Sequence, residues 1–262
     1  MFKKLPQKAR FHLVSKSSWP LLSATGALGI TFEMAMYFHG YMGGFTFIEQ
    51  AFVQLFLGAG CWWRNVIGKS TFDNSHTTSV VVGLNWVMVF FIVSEFMFSY
   101  AFFWTFFYFI LNHNTGSIAF EGETLYIYIQ NPFDIPVLIT IILLSSSATL
   151  IWAHHSIILG TTYQAVGSPL FTILLVILFT AWQGFEWLNV PFTISDSAYA
   201  SIFYLITGFH GFHVFVGTCF LVVCLCHLYF DYFGFEAPAW YWHFINVVWL
   251  FLCVVFYLWG SF

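Results

Sequence analysis

Between Asp73 and Glu121 the chain carries a single charged side chain, Glu95, set among Phe90, Phe91, Phe96 and Phe98. The apolar run around it, Val80–Leu111, is longer than the ~20 residues that carry a helix across a bilayer. In lipid every backbone N–H and C=O must be paired within the protein, which leaves helices or closed barrels as spanning structures. The run predicts a transmembrane helix.

The rest of the sequence repeats the pattern. Seven apolar segments are predicted, near Trp19–Phe38, Phe45–Trp63, Val80–Leu111, Ile135–Ile158, Pro169–Leu188, Tyr199–Phe230 and Ala239–Trp259. Only 7% of the 262 residues are charged, against about a quarter in a soluble domain. The fold class is therefore all-α membrane protein, a single seven-helix transmembrane domain over residues 1–262. Pro20, Pro136 and Pro169 are read as helix-start prolines, where the missing N–H costs nothing. Trp19, Trp62, Trp63, Trp187, Trp240 and Trp259 fall near segment ends, as in an interfacial aromatic belt.

Orientation follows from the cations. Lys3, Lys4, Lys8, Arg10 and Lys16 precede the first segment, and Arg64 and Lys69 lie between the second and third. Two crossings separate the clusters, so all seven basic residues face one compartment, the inner one by the positive-inside rule. Seven crossings place the C-terminus outside. The N-terminal MFKKLPQKARFHLVSK has neither a secretory apolar core nor a long Arg/Ser-rich transit peptide, so the first helix is expected to act as its own insertion signal. A net charge of −4 offers no basic surface for nucleic acid. Cys61, Cys219, Cys224, Cys226 and Cys253 form no C-x-x-C pair and read as small buried hydrophobes.

Glu95 is the sharpest candidate. A carboxylate at mid-span costs at least ~2.5–3.5 kcal/mol on the insertion scale, so it should be neutral, paired or turned to water. It is either an interhelix hydrogen-bonding group or a functional one handling protons, lipid or a ligand. His210 and His213, spaced i, i+3 in TGFHGFHVFVG, reach a similar depth and are its proposed partners. Gly208, Gly211 and Gly217 would let a neighbouring helix approach. A metal or haem site on the two histidines would need a second ligand pair at that depth, and none is visible. His154 and His155 are adjacent and point to different faces, and Glu33 and Glu186 lie near enough to span ends to reach water. Trp62, Trp63, Arg64, Lys69 and His76 have the composition of a phospholipid headgroup site, or of plain interfacial anchoring.

The pieces WWRNV, SEFMFSYAFFW, NPFDIP, WAHHS, PFTISDSAYASIF, TGFHGFHVFVG and GFEAPAWYWHFINVVWLF closely resemble subunit III of the haem–copper cytochrome c oxidases. The resemblance runs from HLVSKSSWPLL to the C-terminus. The compact length and the 36 phenylalanines look more like a mitochondrially encoded member than a bacterial one. It implies a seven-helix bundle with helices 1–2 (17–64) splayed from helices 3–7 (79–262) around a lipid cleft. It also implies no haem or copper in this chain, with haem a and copper in partner subunits and structural phospholipids here. Subunit I would be the chief partner, beside other oxidase subunits. The implied role is support of proton uptake and protection of the catalytic subunit, in the mitochondrial inner membrane with the N-terminus in the matrix. The carbodiimide-reactive glutamate of the family falls on Glu95, at the cleft with His210 or His213. Lipid contacts fall around Trp63, Arg64 and His76, and Glu236 and His243 join Trp62 and Lys69 as lipid candidates.

Departures from the family pattern are Asn65 for a usual Asp, Gly68 for Arg, Lys69 for Glu and Asn246 for Asp. The loop CHLYFDYFGFE is short and lacks Arg and Lys, which weakens a cardiolipin site there. A stand-alone proton-coupled transporter or channel is the competing class, since an intramembrane Glu with histidines could relay protons alone. The lack of an internal repeat and of mid-span proline argues against it. A retinal protein would need a membrane lysine, which the spans lack.

Overall fold

The computed structural model describes residues 16–71, 76–111, 133–196, 198–228 and 234–258. It contains α1 (Trp19–Phe38), α2 (Gly44–Thr71), α3 (Thr78–Leu111), α4 (Ile135–Leu159), α5 (Thr162–Asn189), α6 (Ala198–Leu228) and α7 (Glu236–Leu252), and α7 runs on as a π-helix, Cys253–Leu258. No strand occurs among the described residues. The protein is an all-α membrane protein. Six of the helices are long and apolar enough to cross a membrane. The exception is α2, which carries Glu49, Gln50, Gln54, Arg64 and Lys69. The basic residues Lys3, Lys4, Lys8 and Arg10, the loop residues 229–233, and Trp259 to Phe262 lie outside the described residues.

Two sequence expectations are corrected. Helix α5 begins at Thr162, so Pro169 lies inside it and not at its start. Proline forfeits one backbone bond there, to the carbonyl of Ala165, and hydroxyl side chains supply bonds beside it. Ser168 Oγ donates to the Gln164 carbonyl at 2.6 Å and Thr172 Oγ1 to that of Ser168 at 3.1 Å. Such local substitutes are how membrane helices tolerate interior proline. Helix α2 in turn passes Trp62 and Trp63 and continues to Thr71, so these rings sit within a helix and not at its end. Pro20 and Pro136 do occupy the first turns of α1 and α4.

The chain divides at Trp86–Val87 into two compact units. In the first, α1 and α2 form an antiparallel hairpin turned at Gly40 and Gly43, both with positive φ (74° and 87°). Small residues set its register. A Cβ on Gly44 would stand 2.9 Å from Tyr37 Cα, one on Gly26 2.8 Å from the Leu55 nitrogen, and one on Gly58 2.8 Å from Ser23 Oγ. Gly44, Ala51 and Gly58 recur every seventh residue on α2, a spacing that keeps them on one stripe. Gln54 Nε2 adds a bond to Thr25 Oγ1 at 2.8 Å.

The second unit is built differently. Its core is made of large side chains from α3–α7, among them Phe106, Phe179, Trp242, Trp249, Leu143 and Phe256. Phe106 and Phe256 have ring centroids 4.1 Å apart, and Phe179 meets Trp249 edge-on at 5.2 Å. Helices α4 and α7 are also joined by a polar ladder. Trp249 Nε1 donates to Thr140 Oγ1 (3.0 Å), Trp242 Nε1 to Ser146 Oγ (3.1 Å), and Asn246 Nδ2 to Ser147 Oγ (2.6 Å). With lipid as apolar as leucine, packing and such bonds supply the association energy.

Candidate functional site

Glu95 projects from the middle of α3 and His213 from the middle of α6, both inside the second unit. His213 Nε2 lies 2.8 Å from Glu95 Oε2. The two side chains are 15% and 20% exposed. The pair is largely enclosed yet open along one edge. Phe98 and Phe102 of α3 pack on Phe209 of α6 at 5.1 and 5.3 Å, which holds the two helices in this register one turn away. The bond joins either an imidazolium to a carboxylate or a carboxylic acid to an imidazole. Both states carry no net charge, so the pair can hold one proton without burying an ion alone.

His210 does not join this pair. It is buried against Trp249 (4.8 Å) and Phe179 (5.8 Å). Neither ring nitrogen has a well-formed hydrogen bond among the described residues, although the Ile245 main chain lies within reach. Three residues along a helix turn a side chain by about 60° from its neighbour. That suffices to aim His213 at α3 and His210 into the core. No group of three or more His, Cys, Asp or Glu is placed to hold a metal among the described residues.

The lipid candidates are dispersed. Trp62, Trp63 and Arg64 are exposed on α2, and Lys69 and His76 are half-buried. Helical spacing puts Trp62 and Lys69 on one face and Arg64 on nearly the opposite one. Glu236 is exposed in the first turn of α7, where a carboxylate suits the helix dipole. His243 is half-buried, and its Nδ1 stands 3.2 Å from Ser147 Oγ, within the α4–α7 ladder. His154 stacks on Phe235 at 6.1 Å.

Three residues were not legible as site members. Tyr241 of α7 is buried close to Glu95. Ser147 holds both His243 and Asn246. Glu186, expected to reach water, is fully buried. The Gln183-x-x-Glu186 spacing was its only sequence signal.

Comparison with known proteins agrees along almost the full length. The family model described as Cytochrome c oxidase subunit III matches residues 9–261. The chain is 47% identical to cytochrome c oxidase subunit 3 of Prototheca wickerhamii, over 97% of this chain and 99% of that protein. It is 45% identical to the subunit 3 of Triticum aestivum over 97% and 98%, and 44% identical to that of Anopheles gambiae over 96% and 97%. A match of this length and identity, on a bundle of bilayer-spanning helices, leaves one assignment: the chain belongs to the cytochrome c oxidase subunit III family.

Proposed function

We propose that this chain is the accessory subunit that sustains proton uptake and lipid order beside the catalytic subunit I, with haem a and copper held by partner subunits. The oxidoreductase complex is the one its family belongs to. The Glu95–His213 bond carries the reading: a mid-helix acid 2.8 Å from an imidazole, in a unit whose sequence contains no Lys or Arg. Such a pair holds one proton with no net charge, whether the proton sits on the carboxyl or on the imidazole. Trp62, Trp63, Arg64, Lys69, His76, Glu236 and His243 are the proposed lipid contacts, on more than one helix face. Anionic phospholipid, cardiolipin included, is the proposed class. The proposed setting is the mitochondrial inner membrane, with the basic residues facing the matrix and Phe262 the intermembrane space.

Glu95→Gln tests this reading. It keeps shape and one hydrogen-bonding oxygen, so the complex should assemble with its haem content and most of its electron transfer. Proton-uptake efficiency, or activity retained over many turnovers, should fall. Glu95→Lys should impair assembly. Outright loss of oxygen reduction by an assembled Glu95→Gln complex would place this residue in the catalytic path and sink the accessory reading.

A further inference from the structure

A second acid of this unit is enclosed more completely than Glu95. Glu186 stands one turn before the end of α5 and has no exposed surface. Its Oε2 accepts from Gln183 Nε2 at 2.8 Å, and its Oε1 accepts from the Tyr257 hydroxyl at 2.7 Å. Tyr257 is itself buried and comes from the π-helix that ends α7. A π-turn re-aims the side chains that follow it and often marks functional positions. Here it lies where Tyr257 reaches Glu186 and where Cys253 Sγ meets Thr140 Oγ1 at 3.1 Å.

The charge balance decides what form this acid takes. The unit has no Lys or Arg. Among the described residues, the titratable groups facing Glu186 are Tyr199 of α6 and Tyr257 and Cys253 of the π-turn, all of them acids. Its own helix offers the neutral Gln183 amide. Two hydrogen bonds do not offset the desolvation of an unpaired carboxylate. The site is also short of donors, because Gln183 Oε1 is buried without a partner among the described residues. An added proton on the carboxyl removes the unpaired charge and adds a donor to the site.

We propose that Glu186 is a second proton-binding site of this chain, a carboxylic acid kept neutral between Gln183 and the π-turn residue Tyr257, and separate from the Glu95–His213 pair. The separation follows from α6: His213 lies beside Glu95 and Tyr199 beside Glu186, and the two stand ~20 Å apart along the helix at ~1.5 Å per residue. Glu186 releases its proton only if a cation or water enters, or if the π-turn withdraws and opens the site.

Infrared difference spectra of the assembled oxidase at neutral pH, variant against wild type, test the proposal. Glu186→Gln should remove one protonated-carboxyl carbonyl band. Tyr257→Phe removes the hydroxyl that donates to the carbonyl, so it should shift that same band to higher frequency. Glu95→Gln should leave the band where it is. Loss of carboxylate bands, with no loss in the acid region, in Glu186→Gln would mean that Glu186 is ionised and would overturn the proposal. Should Glu186→Gln fail to assemble, Tyr257→Phe decides alone: a shifted acid band supports the site, and an unchanged acid region overturns it.

Discussion

The α1–α2 hairpin of the first unit and the α4–α7 contact of the second hold helices together in opposite ways. In the α1–α2 hairpin the main chains nearly touch, and glycine at 26, 44 and 58 is what permits it. In the second unit α4 and α5 also approach closely, with Ala153, Ser156, Ala165 and Ser168 buried on them, whereas α7 meets α4 through tryptophan rings and side-chain hydrogen bonds. Water drives neither contact, since the alternative to burial is lipid. Close backbone approach gains dispersion over many atoms and fails as soon as one Cβ intrudes. A ladder of bonds between bulky side chains is redundant, and each rung contributes modestly. The first device is brittle and the second graded.

The sharpest way to break the comparison is Gly26→Ala. The new Cβ would stand 2.8 Å from the Leu55 nitrogen and 3.0 Å from its Cα. Both are backbone atoms, so the helices must part, and overpacking of this kind costs about 1–3 kcal/mol. Gly83→Ala meets nothing within 4 Å and serves as the control. Thermal stability of the purified complex should fall markedly for Gly26→Ala and stay put for Gly83→Ala. Equal behaviour of the two would remove close backbone contact as the hairpin's basis.

The ladder should respond more gently. Trp249→Phe deletes the bond to Thr140 Oγ1 while leaving an aromatic ring against Phe179. Ser147→Ala deletes the contacts to both His243 and Asn246. Interhelix bonds in membranes average about 0.6 kcal/mol and reach about 1.7, so each variant should shift stability less than Gly26→Ala does. The two rungs share no partner, and the double variant should be near the sum of the singles. A strongly non-additive pair would mean that the ladder acts as one network.

How much of this was readable beforehand depends on which physical signal each feature leaves in the sequence. Apolar run length located α1 at Trp19–Phe38, because a bilayer imposes that length directly. It misplaced the start of α5, because Pro169 reads as a boundary in water-soluble logic, whereas hydroxyl side chains beside it supply local bonds here. Depth along two helices brought Glu95 and His213 together. It left His210 in the same group, because one-dimensional spacing gives depth far better than facing. Glu186 escaped for the complementary reason: nearness to a helix end suggests water, and only the return of Tyr257 on the π-turn closes that route. The α1–α2 register was not read from the sequence, because small residues every seven positions, here Gly44, Ala51 and Gly58, also fit a lipid-facing stripe until a partner helix is placed.

The smallest expected effect lies outside both packing devices, in the α5–α6 connection. Asp196 Oδ2 accepts from the Thr193 N–H at 2.6 Å and Oδ1 from its hydroxyl at 2.7 Å, while the Asp196 N–H returns a bond to the Thr193 carbonyl at 3.2 Å. The two donors of Thr193 hold the Asp196 carboxyl below its ordinary value of 3.8. A folded value below the unfolded one means that the native loop favours the carboxylate. Its contribution is present in full above about pH 4–5, where the unfolded carboxyl is also ionised. It is lost as pH falls further, through the folded value. The side chain is exposed, so solvent screens the interaction and the effect on global stability should be slight. Local order is the better measure. Hydrogen exchange at the Thr193 amide should be protected at neutral pH and lose that protection in strong acid. Asp196→Ala should remove it at every pH, and Asp196→Asn, which still accepts at one oxygen, should retain part of it without the acid dependence. Protection at Thr193 that is unchanged in Asp196→Ala at neutral pH would show that the backbone turn holds itself, and that the carboxylate only decorates it.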